Sequence, residues 1–259
     1  MKLTVLSDAK AMNGFQPEHG LSFYIEYDQI RILLDTGASS KFKDNAKRLG
    51  IDLDKIDKVV LSHGHFDHGN GLPYLRHTTL VCHPDCFVKR FRKKGNGNIG
   101  ISLSGQEVRE RFDLQPSEKP FRLSAHIYFL GEIPRINDFE TWETPYMLED
   151  GQDDYIVDDS GLACVTENGL VVVSGCAHSG ICNIIEHAKK ITGMDNVEAV
   201  IGGFHLKNAD HRTRKTIECI KQIGVRRVYP SHCTMGPALE MFHEAFGRNE
   251  VLVGQEFRF

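Results

Sequence analysis

The sequence predicts a protein of the α/β class, because apolar β-branched runs alternate with amphipathic helical patterns in its second half. The run Leu170–Ser174 is followed by isoleucines at helical spacing between positions 181 and 191. Val197–Ile201 is followed by a second helical pattern, which ends at Gly224, and then by the apolar run Val225–Tyr229. Glycine or proline follows each run, and runs bounded in this way are typical of buried strands.

The bulk composition indicates an ordinary globular protein. The chain has 259 residues, of which 41% are hydrophobic and 25% charged. This length suits one large α/β domain, so we expect a single domain over residues 1–259 with inserted loops around 89–150.

Charge, hydropathy and cysteine content exclude several classes of partner. A formal net charge of −4 provides no basic surface for a nucleic-acid backbone, so we expect no nucleic-acid partner. No apolar stretch reaches the length of a membrane span, and the chain begins with a strand pattern instead of a signal peptide, so we expect no membrane partner. An odd number of scattered cysteines, seven, favours reduced thiols and a cytoplasmic location.

The first sixty residues predict strands and one helix. Lys2–Leu6 has the pattern of a first strand, and Leu21–Tyr27 and Ile30–Leu34 predict a hairpin that turns at Asp28-Gln29. A helical pattern then runs from Phe42 to Leu49 and stops at a glycine.

The stretch Ser62–Asn70 is the densest group of reactive side chains in the sequence. It follows the apolar run Val59–Leu61 and contains His63, His65, Asp67 and His68. Imidazole nitrogens and carboxylate oxygens are ligands of zinc and related divalent ions. His63 and His65 alternate as in an extended chain and can converge on one ion, while Asp67 and His68 lie where the chain turns and can face a second. A polar loop with solvated histidines is the alternative interpretation.

This H-x-H-x-D-H pattern at the end of a strand resembles the signature of the metallo-β-lactamase superfamily. The resemblance implies a four-layer αββα sandwich with one or two metal ions at one edge, and in most members hydrolysis. Asp35-Thr36-Gly37 is similar to another superfamily segment, in which the aspartate orients the metal-binding loop through hydrogen bonds. A helix N-cap is the alternative role for Asp35.

The segment between Lys89 and Asp150 is harder to interpret. It begins with the basic run Lys89–Lys94, and such runs are most often solvated surface. Because this run follows a loop expected near the site, Lys89 and Arg90 are candidates for binding a substrate phosphate. The inserted loops, which contain the single tryptophan, Trp142, are candidates for a lid or for contacts in a homo-oligomer.

The loop after Leu170–Ser174 adds two candidate ligands. His178 lies in the turn between this strand and the next helix, so we expect it at the same edge as His63, with helix capping as the alternative. The superfamily pattern has an aspartate that bridges two metals near the position of Cys176. A thiolate can bind zinc, or Cys176 can be a small packed residue with a weaker second metal site.

Two later loops complete the predicted site. His232 follows a strand and Pro230, which is similar to the final metal ligand of the superfamily. His205 follows two glycines that allow close approach of backbone or substrate. For His205, contact with substrate or donation of a proton is the favoured role, and binding of a metal is the alternative.

Four segments, GHFDHGNG, SGCAHSGICNI, GGFHL and PSHCT, together resemble one branch of the superfamily, the metal-dependent hydrolases of β-lactamase superfamily II. The resemblance implies a first metal on His63, His65 and His178 and a second on Asp67, His68 and His232. Zinc is the favoured ion, with manganese and iron as alternatives.

The leading functional hypothesis is hydrolysis of a phosphoester or other ester of a small, anionic molecule by a metal-activated water, with Asp67 and His205 as catalytic groups. Some members of the branch are dihydropterin-ribofuranosylaminobenzene 5'-phosphate synthases, so a synthase of that kind is the first alternative. A non-catalytic metal or ligand sensor is the second. The presence of the candidate ligands favours an enzyme over the sensor.

Overall fold

The computed structural model describes residues 1–140 and 143–259. The described residues form two compact units, which are treated separately below. Unit 1 comprises residues 1–118, 143–158 and 252–258, and unit 2 comprises residues 119–142, 159–251 and 259. The prediction of a single domain stays a prediction, and Trp142 lies outside the described residues.

Fifteen strands and six α-helices are found in the described ranges. The strands are β1 (Lys2–Ser7), β2 (Ser22–Tyr27), β3 (Ile30–Leu34), β4 (Lys58–Val60), β5 (Thr79–Cys82), β6 (Arg90–Arg92), β7 (Asp113–Pro116), β8 (Phe121–Arg122), β9 (Ile127–Phe129), β10 (Tyr146–Leu148), β11 (Gly161–Thr166), β12 (Gly169–Ser174), β13 (Val197–Gly203), β14 (Arg227–Ser231) and β15 (Glu256–Arg258). The helices are α1 (Lys41–Arg48), α2 (Phe66–Gly69), α3 (Gly105–Arg111), α4 (Ile181–Thr192), α5 (His211–Ile223) and α6 (Gly236–Phe246). Among these helices, none has both the length and the apolar character required to cross a membrane.

Unit 1 is built on a seven-stranded sheet with the order β15-β1-β2-β3-β4-β5-β7. The hairpin of β2 and β3 is confirmed, and its two turn residues, Asp28 and Gln29, both have positive φ values of 52° and 63°. β3, β4, β5 and β7 are parallel neighbours. α1 packs against this sheet through Phe42 and Ala46, which lie in one apolar cluster with strand residues such as Leu33 and Val59.

A small two-stranded sheet in unit 1 joins β6 to β10. Its strands come from the two ends of the segment that was predicted as inserted loops, and α3 and β7 also form within that segment. α3 begins with a capping box at Ser104 and Glu107, which satisfies backbone N–H groups at its start.

Unit 2 is built on a six-stranded sheet with the order β14-β13-β12-β11-β9-β8. The β11–β12 hairpin is confirmed with its predicted bounds nearly unchanged, and β12, β13 and β14 are parallel. α4, α5 and α6 cover one face of this sheet with a continuous apolar cluster that includes Ile184, Ile220 and Phe242. The alternate strand residues, such as Val171 and Ile201, are also completely buried.

Candidate functional site

The first group of candidate ligands lies in unit 1 at the carboxyl ends of parallel strands. β3 ends immediately before Asp35, and β4 ends two residues before Ser62. Because the carboxyl ends of neighbouring parallel strands lie at the same sheet edge, Asp35 reaches the start of the histidine stretch. Asp35 Oδ1 accepts a hydrogen bond from the Ser62 backbone N–H at 2.7 Å, and its Oδ2 accepts one from Ser62 Oγ at 2.7 Å.

Asp35 also contacts one of the candidate ligands directly. Its Oδ2 lies 2.7 Å from His68 Nδ1, and both side chains are completely buried. This contact leaves His68 Nε2 as the nitrogen that can bind a metal, because a hydrogen bond on one imidazole nitrogen selects the role of the other. Asp35 therefore makes hydrogen bonds of the kind that its predicted orienting role requires, and the role itself stays a prediction. The residue does not cap α1, whose N-cap is Ser40.

The three histidines of the stretch converge on each other. His63 Nε2 lies 2.9 Å from His65 Nδ1, and the ring centroids of His63 and His68 are 4.2 Å apart. All three rings are buried. His65 is the N-cap of α2, the short helix that carries Asp67 and His68. Imidazoles packed this closely are the donor set of a divalent metal site.

Asp67 lies between two imidazoles in unit 1. Its Oδ2 is 3.9 Å from His68 Nε2 and 3.3 Å from His19 Nε2. The Asp67 side chain is 9% exposed and that of His19 is 56% exposed, so this carboxylate connects the buried histidines to a solvent-facing one. His19 was not among the predicted site residues.

The loop around Gly64 is held by residues distant in sequence. The Gly64 backbone N–H donates to Asp158 Oδ2 at 2.7 Å, and a Cβ at Gly64 would collide with the carbonyl of Cys86. The ring of Tyr146 packs edge-on against His65, with centroids 5.0 Å apart. Neither Asp158 nor Tyr146 was predicted, because no local pattern links them to the histidine stretch.

The predicted phosphate contacts have partners within unit 1. Arg90 is 1% exposed, and its Nη1 donates to Asp158 Oδ1 at 2.8 Å. Burial lowers the pKa of the guanidinium, but the carboxylates of Asp158 and Asp154 raise it above its ordinary value. Lys89 is exposed and pairs with Glu149 at 2.8 Å. A substrate phosphate would therefore compete with carboxylates for both cations, and their predicted role stays a prediction.

The second group of candidate ligands lies in unit 2, again at the carboxyl ends of parallel strands. Cys176 and His178 follow β12, His205 follows β13, and His232 follows β14. The ring centroids of His178 and His205 are 4.3 Å apart. Ligand atoms of Cys176, His232 and Cys233 all lie within 4.8 Å of one another. The sequence analysis did not include Cys233 among the candidate ligands, although this residue directly follows the predicted ligand His232.

Backbone conformation in unit 2 is unusual at these loops. Ala177, His205 and His232 have φ values of 55°, 49° and 52°. These values lie in the left-handed region, which is unfavourable for residues other than glycine. Close packing of the strand ends accompanies this conformation. A Cβ at Gly202 would collide with the carbonyl of Ser174, so the paired glycines permit strand approach, as predicted.

Asp159 supports the turn that carries His178. Its Oδ2 accepts a hydrogen bond from the Ser179 N–H at 2.8 Å. Burial raises the pKa of Asp159 to about 6, although hydrogen bonds from the backbone of Ser179 and His178 act in the opposite direction. Asp159 was not predicted, since it lies within an acidic stretch that has no distinguishing pattern.

Glu140 supports the same region from another part of unit 2. Its side chain is buried and accepts hydrogen bonds from the N–H groups of Cys182 and Asn183, in the first turn of α4. α4 has no N-cap side chain of its own, so Glu140 satisfies backbone donors that would otherwise have no partner in the helix.

Comparison with known proteins identifies relatives along the whole chain. Residues 16–83 match the family model of the metallo-beta-lactamase superfamily. A 7,8-dihydropterin-6-methyl-4-(beta-D-ribofuranosyl)-aminobenzene-5'-phosphate synthase of Methanocaldococcus jannaschii is 38% identical, over 94% of this chain and 90% of the relative. An uncharacterized protein of the same organism is 32% identical, over 92% of each chain.

The chain is also similar to a solved structure over its whole length. Tm1679, a metal-dependent hydrolase of the β-lactamase superfamily, has a TM-score of 0.89 and 29% identity, covering 100% of this chain and 99% of the other. The α/β metallo-β-lactamase fold predicted from the sequence is confirmed, and this fold implies binding of a divalent metal. The chain belongs to the metallo-β-lactamase superfamily.

Proposed function

We propose that this protein is a metal-dependent synthase that joins a dihydropterin to a ribosylated aminobenzene 5'-phosphate. The observation that carries the proposal is the 38% identity to a synthase of that name, which extends over 94% of this chain. The match therefore extends over residues of both units.

The candidate ligands fit a divalent metal. We propose that His63, His65 and His178 hold one ion, and that Asp67, His68 and His232 hold a second. Support comes from the burial of all six side chains and from their positions after parallel strands. Donors of this kind favour zinc, with manganese and iron as alternatives. Cys176 and Cys233 add two thiols, which also favour zinc over the harder ions.

A bound divalent ion would supply a Lewis acid that polarises an oxygen attached to the electrophilic atom and lowers the pKa of bound water. The residues of the chain would handle protons and position substrate. Joining the two components forms a bond between the aminobenzene nitrogen and the 6-methyl carbon of the dihydropterin, and it breaks the bond from that carbon to a leaving group. The reaction therefore requires one group that removes a proton from the nitrogen and another that protonates the leaving group. We propose that Asp67, which has His19 beside it at 3.3 Å, transfers a proton towards solvent. We propose that His205, which is half-buried beside His178, contacts substrate.

The test combines metal analysis with a joining assay. Protein freed of metal and then reloaded is incubated with an aminobenzene riboside phosphate and a dihydropterin that carries a leaving group, such as a diphosphate, on its 6-methyl carbon. The condensed product and the released leaving group are measured by mass spectrometry. We expect His65→Ala and His178→Ala to lose bound metal and product together. His77→Ala, which changes an exposed histidine of unit 1, is the matched control. Full product formation by rigorously metal-free protein would refute the proposal.

Hydrolysis is the second candidate, favoured by the similarity of the whole chain to a metal-dependent hydrolase at 29% identity. It predicts that the metal-loaded protein cleaves a phosphodiester, a phosphomonoester or a lactone without a second substrate. A panel of these compounds distinguishes the two reactions. Bound metal without turnover in either assay would favour the non-catalytic sensor.

We also propose a cytoplasmic location and a small-molecule substrate without a nucleic-acid or membrane partner. None of the seven cysteines, all of which lie in the described residues, forms a disulfide bond, and six of the seven are buried. Reduced thiols are typical of the cytoplasm. Self-association into a homo-oligomer stays a prediction, which light scattering on the purified protein tests directly.

A further inference from the structure

Unit 1 contains a cavity of about 710 Å³ that lies outside the histidine cluster. Its walls come from the residues around β6 and from the segment that follows β10. The lining side chains are Asp85, Val88, Lys89, Arg90, Leu148, Glu149, Asp150, Asp153, Asp154, Tyr155 and Val157. A cavity of this volume accommodates a small organic molecule.

The charge of the cavity is negative. Five carboxylates and two cations line it, which gives a formal charge of −3. Both cations already have carboxylate partners, since Lys89 pairs with Glu149 and Arg90 with Asp158, each at 2.8 Å. Such a surface repels a phosphate and attracts a ligand that donates hydrogen bonds or carries positive charge.

The cavity also has an apolar wall that faces solvent. Tyr155 is 41% exposed and Val157 is 38% exposed, although most large apolar side chains of the described residues are buried. Val88 and Leu148 extend this wall. An exposed aromatic ring next to aliphatic side chains is suited to one face of a planar ring.

One buried carboxylate in the wall retains hydrogen-bonding capacity. Asp154 has a side chain that is 5% exposed, and its Oδ1 accepts from the Ile156 N–H. Within the described part of the chain, its Oδ2 accepts no hydrogen bond. The Arg90 Nε lies 3.5 Å from it, an ion pair that is too long for a good hydrogen bond. Burial raises the pKa of Asp154, although Arg90 opposes that shift.

The wall of the cavity is connected to the metal-binding loop within unit 1. Arg90 donates to one oxygen of Asp158, and the other oxygen accepts the Gly64 N–H between His63 and His65. Two hydrogen bonds therefore separate the cavity wall from the loop that carries the first two candidate ligands.

We propose that this cavity binds a planar, amine-bearing heterocycle, with its flat face on Tyr155 and its N–H edge towards Asp154. If the synthase function proposed above is right, this ligand is the dihydropterin, and the phosphate-bearing component binds elsewhere. An aminopyrimidine ring combines N–H donors along one edge with apolar faces, which matches a carboxylate beside an aromatic wall. Lys89 and Arg90 then act as partners of carboxylates in this wall and do not bind phosphate.

The test measures binding of pterin to the metal-loaded full chain by quenching of pterin fluorescence. We expect Tyr155→Ala to raise the Kd about 2- to 12-fold, the range for an aromatic contact. Asp154→Asn should raise it about 10-fold or more, because a hydrogen bond to a charged acceptor is lost. Tyr74→Ala, which removes another exposed tyrosine of unit 1 (47% exposed), should leave the Kd unchanged.

A competition arm distinguishes the ring from the phosphate. Ribose 5-phosphate should not displace pterin, and Asp150→Lys should weaken pterin binding by reducing the negative charge of the cavity. If Asp154→Asn fails to fold, as judged by circular dichroism, the exposed positions Tyr155 and Asp150 still decide the question.

Failure of the cavity proposal differs from failure of the proposed function. No measurable pterin binding, displacement of pterin by ribose 5-phosphate, or an equal effect of Tyr155→Ala and Tyr74→Ala would overturn the cavity proposal even if product forms. Binding that depends on Tyr155 and Asp154, in a protein that forms no condensed product, would support the cavity proposal and refute the synthase function.

Discussion

Two adjacent cations in unit 1 allow a direct comparison of buried and exposed ion pairs. Lys89 and Arg90 each lie 2.8 Å from a carboxylate oxygen, but the Lys89 side chain is 66% exposed whereas that of Arg90 is 1% exposed. Changing Arg90 to Met would leave Asp158 and Asp154 buried without their cation. Such a loss costs about 3–5 kcal/mol of folding free energy.

The exposed pair should behave differently. Lys89→Met removes an ion pair in water, which is worth about 0–1 kcal/mol. With about 2–4 °C per kcal/mol for a chain of this size, Arg90→Met should lower the Tm by about 6–20 °C and Lys89→Met by at most about 4 °C. We expect Arg90→Met also to weaken metal binding, because Asp158 would no longer be held in place to accept the Gly64 N–H.

The assay is urea and thermal unfolding followed by circular dichroism, on protein with and without added zinc. Arg90→Lys is a useful intermediate, since it keeps the charge but cannot donate to Asp158 and to the Asp85 carbonyl at the same time. Equal losses of stability in Arg90→Met and Lys89→Met would show that burial does not govern this network.

Three further predictions concern other parts of the chain. Two oxygens of Asp35 take part in three 2.7 Å hydrogen bonds, and Asp35→Asn replaces one of them with an NH2 group and removes the negative charge. The change should weaken metal binding about 10- to 100-fold in competition with a chelator, without removing a ligand; unchanged affinity would contradict its orienting role. Burial raises the pKa of Glu140, so its contribution to folding is present at low pH and is lost as the pH rises through its folded-state pKa. The stability of wild type minus that of Glu140→Gln, from urea unfolding, should therefore fall as the pH rises above about 4.3, the ordinary pKa of a glutamate, and a flat or rising difference would contradict this sign. A hydrogen bond from Cys182 lowers the pKa of the half-buried Cys219 thiol, whereas burial raises the pKa of Cys164 to about 12. Iodoacetamide should therefore alkylate Cys219 before Cys164, as mass spectrometry of timed samples would show. Faster labelling of Cys164 would refute this order of reactivity.

Local patterns were sufficient to predict the elements that carry the candidate ligands. The β2–β3 and β11–β12 hairpins, α1, α4 and the strand before Ser62 all follow from alternation, helical spacing and turn residues. β14 begins and ends two residues later than predicted, since Pro230 was interpreted as the end of the strand although it lies within β14.

Elements defined by distant partners could not be predicted in the same way. β6 pairs with β10 across more than fifty residues, and β15 pairs with β1 across the length of the chain. α6 begins at Gly236 with a proline in its first turn, a position where proline is favourable, but the sequence was not interpreted as a helix there.

The same limit applies to the residues that support the candidate ligands. Asp158 contacts Gly64, which lies 94 positions away in the sequence, and Tyr146 contacts His65 over a comparable separation in sequence. A carboxylate or an aromatic ring of this kind has no signal in its own neighbourhood, because its role depends on which loop the tertiary fold brings to it. Ligand types and spacing, and the supporting role of Asp35, could be interpreted from the sequence, whereas the other supporting residues required coordinates.

The left-handed backbone at His205 and His232 has a consequence for engineering this protein. Each such residue costs the folded chain about 1 kcal/mol relative to a glycine, which adopts this conformation without steric penalty. Laboratory selection for heat tolerance alone, carried out in a chelating buffer, would thus favour glycine at both positions and discard the imidazoles. Supplying zinc during the selection would reverse that pressure at His232, the proposed ligand, since ion binding would then reward the costly conformation.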